Sequence, residues 1–347
     1  MNLKDRIESF SKLGEILRDS LAGKETKYSS ELIQLIEIQH LKNPWFTPDN
    51  VRMAVMAIAE QLTKENLTEW TSHYTELNNE RNPVKVGLIM AGNIPMVGFH
   101  DFLSVLISGN DPIVKASSKD LELMHFTGDI LIDINPAFGD KIEFTEGSLS
   151  GFDVIIATGS DNTSRYFEYY FGKYPNIIRK NRNSIAMLNG TETDDELEAL
   201  GMDVFSYFGL GCRNVSKIFV PAGYDFSRML KVWDKYSDLI RHSKYASNYD
   251  FSKAVYLVNR EKFIDAGFVL LKENKGLSSP VAVLYYEHYN SLDEAERITE
   301  KLNEKIQCFC GKNHIPFGKA QFPSLWDYAD GIDTLEFLLK KNNARIL

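Results

Sequence analysis

A cysteine sits in a glycine-rich turn at YFGLGCRNVSKIFV (207–220), between a stretch with helical character and a strand-like run. Backbone N–H groups in such a turn can point at a thiolate and at an oxyanion forming beside it, which makes Cys212 the candidate nucleophile. A free cysteine is more often structural filling than a catalyst, so its case rests on its surroundings. Arg213 is adjacent and could lower the thiol pKa, although adjacency does not fix where its side chain points. His100, His242 and His288 are candidate bases, each read first as an ordinary core or surface histidine. Cys308 and Cys310, in QCFCGK, lack the second pair that a zinc site needs and read as buried thiols, so no metal is expected.

A second group of polar residues collects where apolar, strand-like runs end. VKVGLIMAG (84–92) ends at Ala91-Gly92-Asn93, PIVKA (112–116) at Lys115 with Ser117 and Ser118 behind it, and DVIIATGS (153–160) at Thr158-Gly159-Ser160 with Thr163. Each run feeds a helix, so N–H groups at the helix start can bind phosphate while Lys115 and the hydroxyls add contacts. Taken together the three ends outline a dinucleotide site, although neither GxGxxG nor GxxxxGK[ST] is present. Taken singly, Ser117, Ser160 and Thr163 read as helix caps and Lys115 as a solvated side chain.

These candidates must be positioned by an α/β framework. Residues 5–74 are helical in pattern; in TPDNVRMAVMAIAEQLT, Thr47 can cap, Pro48 fits the first turn, and Val51, Val55, Ile58, Ala59 and Leu62 recur at helical spacing. Trp45, Phe46, Trp70 and Tyr74 read as core or interface anchors. Beyond Pro83 the runs already named, with KIEF (141–144) and IAML (185–188) as two more strands, alternate with helices, as in a parallel sheet covered on both faces. Ligands of such sheets sit beyond the carboxyl ends of the strands. After an acid-started helix and the cysteine turn, KIFVP, AVYLVN (254–259) and PVAVLYYE (280–287) read as strands, and SLDEAERITEKLNEKI as a helix capped by Ser291 and Glu294. The aromatic residues of the tail, Phe317, Phe322, Trp326 and Tyr328, read as core before any ligand tunnel.

Composition bounds the function. With 347 residues the chain can form two domains, and 44% hydrophobic with 25% charged residues is ordinary for a globular protein. A formal net charge of -9 argues against general nucleic-acid binding. The start, MNLKDRIESF, lacks an apolar core of signal-peptide length, no apolar run reaches membrane-spanning length, and three cysteines suit a reducing compartment. The expected location is the cytoplasm.

The order AGNIP, PIVKASS, IATGS and GLGCRNVSKIFV resembles the aldehyde dehydrogenase superfamily, and within it the LuxC-type fatty acyl-CoA reductases, the reductase component associated with bacterial bioluminescence. The resemblance runs from about Pro83 into the GKAQFPSLWDYADGID tail. It implies that Cys212 takes the acyl group as a thioester. It also implies that the Asn93 amide forms an oxyanion hole with the cysteine's own N–H, that Lys115 holds the adenosine ribose, and that Gly159-Ser160 flanks the pyrophosphate. The glutamate that activates water in aldehyde-oxidising members is replaced, in IRKNRNS, by about Ile178, so a base for hydrolysing the thioester is missing. A ribose-binding Glu-Ile-Phe-Gly-Pro segment becomes about GLSSPV. Ser118, with Lys119 beside it, stands where an acidic residue would select an unmodified ribose, which tolerates a 2′-phosphate and favours NADPH, with NADH as the alternative.

The expected architecture is an aldehyde-dehydrogenase-like α/β protein: a helical N-terminal layer (1–80), a Rossmann-like nucleotide-binding domain (81–190), an α/β catalytic domain (191–315) and a tail packing back on the core (316–347). The expected activity is NADPH-dependent reduction of an acyl thioester, as acyl-CoA or an acyl group carried by a protein, to the aldehyde. Oxidation of aldehydes and a non-catalytic cofactor-binding scaffold in an acyl-transfer complex are the alternatives. A homo-oligomer and an acyl-transferring protein partner are expected, with no nucleic acid and no membrane span.

Overall fold

A computed structural model describes residues 1–79 and 82–343. The chain divides into two compact units, one of residues 1–180 with 324–347 and one of residues 181–323. The first break thus falls before IAML, where the strand pattern alone placed it near residue 190.

The first unit opens with four helices, α1 (Leu3–Leu21), α2 (Ser29–Lys42), α3 (Pro48–Gln61) and α4 (Lys64–Ser72). Thr47 caps α3 through the Asn50 N–H with Pro48 in the first turn, and Phe46 and Trp70 are fully buried with Trp45 and Tyr74 packed against them. There follow β1 (Lys85–Ile89), α5 (Phe99–Ile107), β2 (Asp111–Lys115), α6 (Leu121–Ile134), β3 (Glu143–Phe144), β4 (Val154–Thr158), α7 (Asp161–Phe171) and β5 (Asn176–Arg179). The strands form a parallel sheet in the order β3-β2-β1-β4-β5. Val86, Leu88 and Val114 pack with helix residues such as Phe10, Phe102 and Ile130 in one apolar core.

The second unit contains β6 (Asn183–Met187), α8 (Asp194–Phe205), β7 (Val215–Pro221), α9 (Ser227–Trp233), α10 (Ser243–Val258), β8 (Ile264–Asp265), β9 (Leu270–Glu273), β10 (Val283–Tyr289), α11 (Leu292–Glu300) and β11 (Ile306–Cys310). Its sheet runs β11-β6-β7-β10-β9-β8, parallel except for β8 against β9. IAML therefore belongs here as β6, and NIIR supplies the fifth strand of the first sheet. AVYLVN is the end of helix α10: its buried side is the stripe Tyr245, Tyr249, Ser252, Tyr256, which has helical spacing, while Leu257 and Val258 face solvent. Ser291 accepts the Glu294 N–H at the start of α11, as its sequence predicts.

From Ser324 the chain belongs to the first unit again and ends in α12 (Thr334–Asn343), packed on α5. Polar side chains seat this return. Arg179 pairs through two nitrogens with Asp101 (2.6 and 3.1 Å) and donates to Ala329 O and Thr334 Oγ1. Trp70 Nε1 donates to the Tyr328 hydroxyl at 2.7 Å, and Tyr74 reaches both Tyr328 and Asp333. Tyr328 is core, as is part of Phe317 in the second unit, whereas Phe322 and Trp326 are exposed, contrary to the core reading. Among the described residues no helix is long and apolar enough to cross a membrane.

Candidate functional site

In the first unit β1 lies between β2 and β4, so the chain winds one way through α5 to β2 and the other way to β4 and β5. The crevice outside the carboxyl ends of β1 and β4 is the switch point where such sheets bind ligands. The loops after β1, β2 and β4 carry Asn93, then Ser117 and Ser118, then Ser160 and Thr163, so the first-unit candidates share one edge of one sheet. A Cβ on Gly92 would stand 2.4 Å from Ser117 Oγ; the first two loops touch there, and only glycine fits. Likewise a Cβ on Gly159 would lie 2.9 Å from the Phe167 ring and 3.0 Å from Thr163 Cβ, so glycine lets α7 start close to the end of β4.

The side chains of this edge have modest local partners. Ser160 caps α7 by accepting the Thr163 N–H at 3.4 Å and lies 2.9 Å from the Thr163 hydroxyl. Ser117 Oγ accepts the Lys119 N–H at 3.4 Å, and Lys115 Nζ donates to Gly147 O at 2.8 Å. Asn93, Ser118, Lys119 and Ser160 are exposed. A lysine, hydroxyl groups and the positive end of an 11-residue helix at a switch point fit the phosphates and ribose of a dinucleotide.

The second unit is built differently around Cys212. Thr193 and Glu196 form a reciprocal cap on α8, and at its other end Tyr207, Phe208 and Gly209 follow one another in the left-handed region (φ 50°, 58° and 75°). Two bulky residues there cost about 1–3 kcal/mol each, offset by burial of both rings; that of Phe208 packs on His242 and Tyr245. This reversal turns the chain from α8 into the cysteine loop.

Buried polar groups then fix the loop. Asn214, 3% exposed, accepts the Gly211 N–H through Oδ1 at 2.8 Å, and its own N–H donates to Gly211 O. Its Nδ2 donates to Ser206 O (2.8 Å) and Asp203 O (3.1 Å), carbonyls at the end of α8. On β6, Ser184 donates to Cys212 O at 2.8 Å while accepting the Cys308 N–H at 3.0 Å. Cys212 itself is half-buried. Asn214 within the loop and Ser184 on the neighbouring strand β6 thus hold the backbone at Gly211 and Cys212, as fixing a nucleophile would require.

Arg213 turns to the 318–320 segment, where its Nε donates to Ala320 O. The same segment is held by Asp203, whose fully buried carboxylate accepts the Gly318 N–H (2.7 Å) and Ala320 N–H (3.0 Å). Burial pushes the Asp203 pKa up to about 6, against the pull of those two N–H groups, Cys310 and Arg213. Burial, and next the neighbouring Asp203, push the Cys310 thiol up as well, so Cys310 stays a thiol and is no rival nucleophile.

The histidines have local tasks: Nδ1 of His242 caps α10 through the Tyr245 N–H, His288 is paired with Pro221 O, and His100 is pushed down by burial with Nε2 on Leu325 O. Ile178 lies on β5 beside Ala157. Two cavities of the second unit, of about 410 and 580 Å³, open near Asn189 and Glu192 at the far ends of β6 and β7 and are not lined by Cys212. Sequence reading missed Ser184, Asp203 and Asn214. Asn214 was visible as the polar residue two places after the cysteine, where a strand lead-in offers no reason for an amide.

No protein-family model matches the chain. The long-chain acyl-protein thioester reductase 2 of Photobacterium leiognathi is 22% identical over 191 residues, covering 50% of this chain and 40% of that relative. The long-chain acyl-protein thioester reductase of Aliivibrio fischeri is 20% identical over 205 residues, covering 54% and 42%. The match thus spans less than half of either relative. An aldehyde dehydrogenase of Mycobacterium tuberculosis, solved with NAD+, superposes with a TM-score of 0.64 at 13% identity over 92% of this chain and 75% of that one. The fold is that of the aldehyde dehydrogenases, and the sequence likeness within it is to the LuxC-type reductases.

Proposed function

We propose that this protein reduces an acyl thioester to the aldehyde through an acyl-enzyme on Cys212, with NADPH as the preferred reductant. The observation that carries the reading is the Cys212 loop, framed by Ser184 and Asn214 on an aldehyde dehydrogenase fold. In the first step the Cys212 thiolate attacks the acyl carbonyl, a C–S bond forms, and the donor thiolate leaves. A bound nicotinamide supplies a hydride. Its addition to the acyl-Cys212 carbonyl gives an oxyanion, for which Asn93 offers a side-chain amide; collapse breaks the C–S bond, releases aldehyde and restores the thiolate. Removing one such donor costs about 2.7–4 kcal/mol of transition-state stabilisation. Lys115, Ser117, Ser118, Gly159, Ser160 and Thr163 are assigned to the cofactor. The acyl donor is an acyl-CoA or a protein-borne thioester, the second in line with the names of the two relatives.

The experiment is a single turnover followed by mass spectrometry. Incubation with long-chain acyl-CoA, or with an acylated carrier protein, is expected to add one acyl group to Cys212, and NADPH is expected to remove it as aldehyde appears. An adduct that survives NADPH would leave the acyl-enzyme without its reductant. No adduct from either donor, in protein that still binds the cofactor, would overturn the reading in favour of aldehyde oxidation or a non-catalytic role.

A further inference from the structure

Asp120 occupies the position from which an aspartate ordinarily caps the following helix, yet it makes no side-chain cap to α6. Its Oδ2 instead accepts the N–H of Met96 at 2.8 Å, in the loop after β1. Met96 has a left-handed backbone (φ 55°) and a buried side chain, and its carbonyl accepts the Phe99 N–H that opens α5. Met96 is therefore the bend between the loop and its helix. At the other end of the same loop, Gly92 is pressed against Ser117, and Asn43 Nδ2 donates to Gly92 O at 3.3 Å. Asn93 is the first residue after that fixed end and stands three residues before the bend.

Asp120 is 2% exposed, and its Oδ1 is a buried atom with no hydrogen-bond partner among the described residues. Burial raises the Asp120 pKa well above the usual carboxylate range, with only the Met96 N–H opposing it. An aspartate this buried, spending its one hydrogen bond on a strained residue of a neighbouring loop, is an expensive way to cap nothing.

We infer that Asp120 is a positioning residue: by holding the Met96 N–H it fixes the loop that presents Asn93, and so sets where the Asn93 amide stands during reduction. The inference rests on the role proposed for Asn93, and its test separates the two. Asp120→Ala removes the acceptor, whereas Asp120→Asn keeps an oxygen for Met96. Hydrogen exchange of the 91–99 peptide is expected to speed up in Asp120→Ala and to stay near the wild-type rate in Asp120→Asn, with global unfolding the check on overall structure. In single turnovers Asp120→Ala is expected to slow reduction of acyl-Cys212 by about 10- to 100-fold with little change in cofactor affinity. The double variant Asn93→Ala/Asp120→Ala is expected to be no slower than Asn93→Ala, since a misplaced amide and a missing one fail alike.

Additive losses, or unchanged exchange in Asp120→Ala, would overturn the inference. If the wild type shows no acyl transfer at all, the proposed function falls by itself, and the exchange experiment still decides whether Asp120 holds the loop.

Discussion

The carboxyl edge of the first sheet and the Cys212 loop of the second unit handle polar groups in opposite ways. At the edge, side-chain hydrogen bonds sit on exposed or half-exposed residues: Ser160 with the Thr163 N–H and Ser117 with the Lys119 N–H, both at 3.4 Å, and Lys115 with Gly147 O at 2.8 Å. Around Cys212 they rest on buried residues: Ser184 with Cys212, Asn214 with Ser206 and Asp203 with Gly318. An edge that binds the cofactor, as proposed, has to exchange its protein contacts for ligand contacts, so accessible ones suit it. A nucleophile must stay where it is, and leaving any member of a buried frame unpaired costs about 1–3 kcal/mol. Variants in the loop should therefore move chemistry and stability together, and variants of the edge residues proposed for the cofactor, Lys115 and Ser118, should move cofactor binding alone.

The largest effect expected is from Cys212→Ala, which leaves the hydrogen-bonded backbone in place and abolishes acyl-adduct formation, lowering turnover at least ~10³-fold. Retained turnover with an intact fold would move the chemistry elsewhere. Next comes Asn214→Ala, which strips partners from the Gly211 N–H and from the Ser206 and Asp203 carbonyls. A loss of about 2–3 kcal/mol by chemical denaturation is expected, together with slower acylation. Asn214→Asp should be worse than alanine, since a carboxylate would face the same carbonyl oxygens; an aspartate variant as stable as wild type would show that the loop is held by other means.

At the edge, Lys115→Ala is expected to raise the cofactor KM about tenfold, in keeping with the loss of a charge-assisted contact, while denaturation stays within about 0.5 kcal/mol of wild type. Ser118→Glu should shift the choice of cofactor toward NADH, because a carboxylate accepts ribose hydroxyls and repels a 2′-phosphate. Measured as the ratio of kcat/KM for the two cofactors, an unchanged preference would remove Ser118 from the ribose site. A stability loss in Lys115→Ala as large as that of Asn214→Ala would erase the contrast between the two regions.

How much of this was readable beforehand follows the reach of each interaction. Thr47-Pro48, the Ser291 cap and the strand runs that lead to Asn93, Lys115 and Ser160 are local signals, and the structure has them as expected. Cys212 is proposed on the strength of its glycines, and Asn93 on a family likeness. The sheet to which IAML belongs depends on parallel pairing with β7 and β11, and the period of AVYLVN is decided by tyrosines that precede it. Asp120 meets Met96 across 24 residues, Ser184 meets Cys212 across 28, and Asp203 meets Gly318 across 115, distances at which no spacing in the chain predicts a partner.

The effect expected from Asp203 appears only in acid, and it has a sign that can be checked. Burial raises its pKa in the folded protein to about 6, whereas an unfolded aspartate titrates near ~3.9. Between those values the folded state binds more protons than the unfolded chain, so the slope of unfolding free energy against pH is negative for this group. Its contribution is complete below about pH 4 and is lost as pH rises through about 6, even though the carboxylate accepts the Gly318 and Ala320 N–H groups. Asp203→Asn removes the titration and keeps one oxygen acceptor. The stability difference, wild type minus Asp203→Asn, should therefore decrease from pH 4 to pH 6 and level off above it, as urea titrations at a series of pH values would show. A difference that stays flat across the window, or rises, would mean that the two backbone N–H groups and Arg213 outweigh burial and that Asp203 is charged throughout.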